Sequence, residues 1–330
     1  MIHRRRFIGL AAASLLAPAF TVRRALAQGP AQVWPARPVR IVVGFSGGPE
    51  VSARILASPL TALWGQQAIV ETKMGASGNI AAETVARSAP DGHTLLLAGT
   101  PLAVSRFLYP SLAFDPVADF APVSLVSRQP NVMIVPNTSP ARSIAEFVAH
   151  AKANPGKITY GSPGRGTTVH LCGELFKRKT GVQMTHVPYS APSTIMSDLI
   201  AGRIDAVFPT FALALPLITA GRVRALAVAW PGRIRVAPEL PTFREAGVPG
   251  FDDVSLWFGL FVPAGTPPAI VERIHSDTAA ALADPTVKLR FEQAGATPAA
   301  STPPELARHF KAEMDRWGPV IKEAKITIND

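Results

Sequence analysis

Two polar, glycine-rich turns constrain this chain more than any other feature. Gly44-Phe45-Ser46-Gly47-Gly48 follows the apolar run Val39–Val43. Gly161-Ser162-Pro163-Gly164-Arg165-Gly166-Thr167-Thr168 follows Ile158–Tyr160. Each pattern predicts a strand, a tight turn and then a helix. Such a turn leaves backbone N–H groups aimed into a crevice at the positive end of a helix dipole. Two of them in one chain predict a clamp for a small anion. The geometric alternative is a pair of short βα loops in which glycine serves only the turn.

Further apolar runs bounded by turns lie at Ala68–Glu71, Thr94–Ala98, Val123–Val126, Val132–Val135, Met184–Val187, Ile204–Phe208, Ala225–Ala229 and Trp257–Val262. Continuous runs of this kind, with helices between them, predict an α/β fold of parallel strands covered on both faces. Ser143-Ile144-Ala145-Glu146 reads as a capping box, after which Ile144, Phe147, Val148 and Ala151 mark one helix face. Thr302-Pro303-Pro304-Glu305 starts another helix, and Leu306, Phe310, Glu313 and Trp317 follow at helical spacing.

The N-terminus predicts a compartment. Arg4-Arg5-Arg6 precede an apolar run from Phe7 to Phe20, and the segment ends Ala25-Leu26-Ala27. A basic start, a short apolar core and a small-x-small ending predict a secretory signal cleaved after Ala27. The apolar run is short for about 30 Å of hydrocarbon, so a retained anchor is the weaker alternative. Arg4-Arg5-Arg6-Phe7-Ile8 also fits the twin-arginine type of signal. Residues 1–27 hold five arginines and no acidic residue, so the formal charge of +10 falls to +5 on their removal. The remaining basic residues are scattered without interleaved aromatics, which argues against nucleic acid as a partner. A mildly positive protein suits an anionic ligand. Cys172 is the single cysteine, so no intramolecular disulfide is possible; its apolar helix predicts a buried, inert thiol.

The residues beyond the leader are enough for two domains. A chain that leaves the first lobe near residue 130 and returns near 252 gives each lobe a complete core. On that reading residues 28–130 and 252–330 form lobe 1 and residues 131–251 form lobe 2. The two crossings make a hinge, with the ligand between the halves.

Several collinear segments then carry a family resemblance. They are Trp34-Pro35-Ala36-Arg37-Pro38-Val39-Arg40-Ile41-Val42-Val43, Gly75-Ala76-Ser77-Gly78-Asn79-Ile80, Ala89-Pro90-Asp91-Gly92-His93-Thr94, Tyr160-Gly161-Ser162, His186-Val187-Pro188-Tyr189 and Leu240-Pro241-Thr242-Phe243-Arg244-Glu245-Ala246-Gly247. Over residues 34–326 the chain resembles the Bug family of periplasmic solute-binding proteins, receptors of tripartite tricarboxylate transporters. The resemblance implies a two-lobed, type II-like Venus flytrap, each lobe a mostly parallel sheet flanked by helices. It implies no cofactor, no metal and no catalysis, and a monomer in the periplasm. It also implies a small carboxylated solute, delivered to membrane transporter subunits or sensed by a signalling partner.

Carried over residue by residue, the resemblance implies a first-lobe loop at Phe45, Ser46, Gly47 and Gly48, a second at Ser77, Gly78 and Asn79, and Thr100 as a third contact. From the other lobe it implies Ser162, Gly166, Thr167, Thr168, Tyr189 and Asp205. The family's first loop usually reads Phe-Pro-Pro-Gly-Gly-Gly-Thr-Asp, whereas here it is Phe45-Ser46-Gly47-Gly48-Pro49-Glu50 and shorter.

Each of these residues also has a structural reading. Ser162, in its Gly-Ser-Pro-Gly turn, can merely cap a helix, and at least one of Thr167 and Thr168 is expected to cap the following helix. Asp205 is either a polar rim residue or a solvated charge at a strand end. Trp257-Phe258 is expected in core or hinge packing, with a lid over the ligand as the weaker alternative. His170 and Glu174 share a helix face, but no third metal ligand is apparent. A hydrolase is the rival class, because Ser162, His170 and Asp205 supply the residue types of a triad. Gly161-Ser162-Pro163-Gly164 nevertheless lacks the Gly-x-Ser-x-Gly elbow, and no phosphate-binding P-loop occurs.

Overall fold

The computed structural model describes residues 34–189 and 192–328; the leader with its cleavage site lies outside the described residues. Among the described residues the strands are β1 (Val39–Val43), β2 (Ala68–Thr72), β3 (Thr94–Ala98), β4 (Phe120–Pro136), β5 (Ile158–Ser162), β6 (Met184–Pro188), β7 (Ala206–Val207), β8 (Val223–Ala229), β9 (Ser255–Pro263) and β10 (Thr297–Pro298). The helices are α1 (Gly48–Trp64), α2 (Asn79–Ala86), α3 (Thr100–Leu108), α4 (Ile144–Ala153), α5 (Thr168–Thr180), α6 (Pro192–Ile200), α7 (Phe211–Thr219), α8 (Pro268–Ala283), α9 (Pro285–Gln293) and α10 (Pro303–Glu323). No helix of the described residues is long and apolar enough to cross a membrane.

Two sheets share β4. The first runs β2-β1-β3-β9-β4, with β10 on the far side of β4. The second runs from the other end of β4 through β7 and β5 to β6, with β8 also paired to β4. Side chains alternate between the two faces of each sheet, as the pleat requires. Val39, Ile41 and Val43 enter one buried cluster with Leu56, Leu60 and Ile274, while Val42 enters another with Ala81, Val85 and Leu306. In the second sheet Val132 and Ile134 face one cluster, and Met133 and Val135 the other.

The expectation of parallel strands holds for β1, β2 and β3 and for β5, β6 and β7. It fails for β4, β8 and β9, whose pairings with one another and with β3 and β7 are antiparallel, and the short β10, where no strand was expected, is antiparallel too. Burial on both faces produces the same continuous apolar run in either direction, so the pattern carries no sign of polarity. No break separates the runs Val123–Val126 and Val132–Val135 either. Arg128, Gln129 and Pro130 pair with Trp257, Leu256 and Ser255 of β9, and Asn131 opens the pairing with β8. One long strand therefore passes from the first sheet into the second where two separate strands were expected.

Helix chemistry follows the sequence closely. Ser143 Oγ accepts from the Glu146 amide at 3.2 Å, but the Glu146 carboxylate reaches back to the Arg142 amide at 2.7 Å rather than to that of Ser143. Glu305 accepts from both the amide (2.8 Å) and the hydroxyl (2.9 Å) of Thr302. Leu306, Phe310, Glu313 and Trp317 are all buried, as their spacing predicts.

A carboxylate in that stripe needs partners, and Glu313 has several. Its Oε2 accepts from Thr100 Oγ1 (3.0 Å), Trp257 Nε1 (2.8 Å) and Trp317 Nε1 (3.0 Å), and its Oε1 pairs with Arg316. These groups belong to α3, β9 and α10. Leu306 and Phe310 of α10 pack under the first sheet, whereas Trp317, Val320 and Ile321 pack into the core beside the second. Helix α10 is thus a further span between the two cores, in addition to the crossings expected near residues 130 and 252. Glu313 sits at the point where α10 passes over.

Candidate functional site

A cavity of about 470 Å³ opens at the carboxyl ends of β1, β3 and β5. This is the position where open α/β sheets take their ligands. Its wall includes Phe45, Ser46, Gly48 and Pro49 after β1, Ser77, Gly78 and Asn79, the end of β3 with Gly99 and Pro101, and Pro163 to Thr168 after β5 except Gly164. Four helices begin in or against this wall: α1 at Gly48, α2 at Asn79, α3 at Thr100 and α5 at Thr168. Their unsatisfied N–H groups and dipoles make the cavity a place where negative charge is favoured.

Two glycines allow the first two loops to meet. A side chain on Gly44 would have its Cβ 2.5 Å from Gly78 Cα, so those backbones touch. Gly78 itself has φ +87°, and a Cβ there would lie 2.9 Å from the Phe45 ring. Asn79 is 8% exposed, and its side-chain Nδ2 is buried without a hydrogen-bond partner. A buried amide donor left unpaired carries a cost of about 1–3 kcal/mol, which an acceptor in the cavity removes.

Of the residues expected at the site, Phe45, Ser46, Gly48, Ser77, Gly78, Asn79, Gly166, Thr167 and Thr168 line this one cavity. Gly47, Thr100, Ser162, Tyr189 and Asp205 do not. Each of the latter four polar groups is engaged elsewhere. Thr100 is fully buried and donates to Glu313. Tyr189 donates to Asp198 at 2.8 Å, and Asp205 accepts from the Thr159 amide and hydroxyl at 2.8 and 2.9 Å. Ser162 Oγ is hydrogen-bonded to His186 Nε2 at 2.7 Å and to the carbonyl of Gly164 at 3.0 Å, which closes the turn on itself. Thr167 caps α5 by accepting from the His170 amide, as expected for one of the two threonines. Trp257 is in the core, and Phe258 both packs there and lines the cavity.

Ser162, His170 and Asp205 do not assemble as a triad. The histidine on Ser162 is His186, and the ring of His170 lies against it with centroids 4.0 Å apart. His170 Nδ1 accepts the Gly166 N–H at 3.1 Å, so this imidazole is neutral and braces the loop from beneath. Glu174 accepts from the Tyr160 hydroxyl at 2.5 Å and pairs with Lys177. No group of three or more residues able to hold a metal ion occurs among the described residues. Burial pushes the Cys172 thiol far up from its ordinary value, which keeps it inert.

Burial, reinforced by His186, lowers His170 to about 3. Burial also lowers His186 to about 4 and, with Arg128 and Arg316 nearby, His309 to about 4. All three lie below the ordinary 6.5, so the unfolded chain binds more protons as acid is added. Their contribution to stability is complete above about pH 6.5 and is lost as pH falls through the folded values. The urea midpoint is therefore expected to fall between pH 7 and pH 4, and a midpoint that holds or rises across that window contradicts the assignment.

The sequence reading missed part of the wall. Arg165, Leu108, Tyr109, Leu256 and Phe258 line the cavity and were not chosen. Arg165 stood inside the quoted loop, and the rule that ligands sit at strand carboxyl ends pointed to Gly99 and Pro101. Leu256 and Phe258 enter only because β9 pairs antiparallel beside β3, which no local pattern carries.

The model of the tripartite tricarboxylate transporter family receptor matches residues 52–326. A protein from the tcbD–tcbE intergenic region of Pseudomonas sp. strain P51 is 39% identical over 90% of this chain and 89% of its own length. BugT of Bordetella pertussis is 34% identical over 89% of this chain and 91% of its own. Among solved structures, Rpa4515 of R. palustris with adipate is 36% identical, superposes with a TM-score of 0.76, and is matched over 89% of this chain and 100% of that one. The segments that resembled Bug proteins, the α/β architecture on two sheets and the extent of these matches agree: this chain belongs to the tripartite tricarboxylate transporter family of receptors.

Proposed function

We propose that this chain is a periplasmic receptor that closes on a small carboxylate, unchanged, and presents it to the membrane subunits of a tripartite transporter. One observation carries the reading. Asn79 holds an unpaired, buried amide donor in a cavity where four helices begin. That is an anion site with an empty hydrogen bond. The adipate held by the R. palustris relative supports the ligand class.

The ligand-binding residues in this reading are Phe45, Ser46, Gly48, Ser77, Gly78, Asn79, Gly166, Thr167 and Thr168, joined by Arg165. Thr100, Ser162, Tyr189 and Asp205 act behind them, by holding helix starts and turns in place. The lobes meet at hinges near residue 130 and residue 252, with α10 as a third span that bends on closure. The mature protein begins at Gln28 after export. Ser162 is fully buried behind the cavity wall and Asp205 is engaged by Thr159, which supports binding rather than hydrolysis.

The test is a thermal-shift and calorimetric panel. A carboxylate at a hundred times its Kd is expected to stabilise the fold by about 2.7 kcal/mol. Amide and ester analogues are expected to fail, since they lack the charge that helix N-termini favour. Asn79→Ala is expected to weaken binding about tenfold or more, the worth of one hydrogen bond to a charged group. A response only to neutral sugars or metal ions, or consumption of the carboxylate during incubation, rules the reading out.

A further inference from the structure

The walls of the cavity are unequal in chemistry. Arg165 is the one cationic residue among the described lining residues, and Asn79 supplies the buried unpaired donor. Much of the remaining lining is apolar, including Leu96, Leu97, Leu102 and Leu256. Phe258 closes the side where α1 and α3 begin. A Cβ on Gly48 would lie 3.7 Å from its Cε2, and one on Gly99 would lie 3.4 Å from its Cδ1. Arg165 is the one cationic side chain of the described lining, so a second carboxylate would have to share the helix starts with the first and would lie against Phe258 and leucines without a counter-charge of its own, which is unfavourable for a buried ion.

Resting on the carboxylate reading above, we infer that the preferred ligand has a single carboxylate and an apolar body, a monocarboxylic acid carrying an aromatic ring or a medium aliphatic chain. Its charge sits by Asn79 and Arg165, and its body lies over Leu256 and Phe258. Specificity then has two sources. Apolar contact rewards the body, at a few-fold in affinity for each buried methylene. The leucines and Phe258 penalise a second charge, which excludes dicarboxylates of similar length.

Calorimetric titration of the mature protein with benzoate, hexanoate and adipate at one pH tests this. Benzoate or hexanoate is expected to bind at least tenfold more tightly than adipate. Leu256→Asn is expected to remove most of that margin by weakening the monocarboxylates more than adipate. Adipate binding as tightly as the monocarboxylates, or more so, overturns the inference and leaves the carboxylate receptor standing. Unchanged monocarboxylate affinity in Leu256→Asn, in a variant shown to fold by its urea transition, also overturns it. Failure of every carboxylate overturns both.

Discussion

Glu313→Ala is expected to lower the stability of the fold by about 3–5 kcal/mol, the usual result of removing one member of a buried charged network. Glu313 is 1% exposed, and its removal strands three donors: the Thr100 hydroxyl and the indole N–H groups of Trp257 and Trp317. Each stranded donor carries a desolvation cost of about 1–3 kcal/mol. The Arg316 guanidinium would lose its counter-charge and keep the Asp253 carbonyl, at 2.9 Å, and its place over the Trp317 ring. Glu313→Gln keeps an acceptor and is expected to fall between wild type and alanine. Urea unfolding of the three proteins measures this, and a loss below about 1 kcal/mol in Glu313→Ala contradicts the network. Because Thr100 starts α3 at the cavity wall, the glutamine variant should also bind ligand more weakly while remaining folded.

Gly48→Leu is expected to reduce ligand affinity by at least a hundredfold with little change in the urea midpoint. Gly48 opens α1 and lines the cavity. A Cβ there meets only the Phe258 ring, at an ordinary 3.7 Å, so the fold accepts it. The rest of the leucine side chain then fills space that the ligand and the α1 N–H groups need. Gly166 is a poorer probe of the same idea. Its φ is +74° and a Cβ would lie 2.6 Å from Leu108 Cδ1, so Gly166→Leu is expected to lose stability as well as binding. Calorimetry on folded Gly48→Leu decides the matter, and unchanged affinity removes the first loop from the site.

Much of this arrangement was legible in the chain because it is local. The capping chemistry at Thr302, the stripe Leu306–Phe310–Glu313–Trp317 and the glycine turns after β1 and β5 are each written within a few residues. What stayed hidden depends on partners distant in sequence. The family resemblance implies Thr100 as a ligand contact, and nothing nearby in the sequence reveals that Glu313, on another helix, takes its hydroxyl. Ser162 and His170 lie in one stretch of sequence, whereas the histidine bonded to Ser162 is His186, brought beside β5 by the pairing of β5 with β6. The direction of β9, which brings Leu256 and Phe258 to the cavity, is likewise a property of the sheet and not of the segment. The apolar character of the wall was therefore out of reach of any motif.

On this reading an anion is held where α1, α2, α3 and α5 begin. A crystal structure of the mature protein grown with benzoate tests it most directly. The expected result is a carboxylate within hydrogen-bond distance of Asn79 Nδ2 and of backbone N–H groups at the start of α2 or α5, with the Ser162–His186 contact intact. A carboxylate seated outside this cavity, or one inside it with Asn79 still unpaired, contradicts the claim.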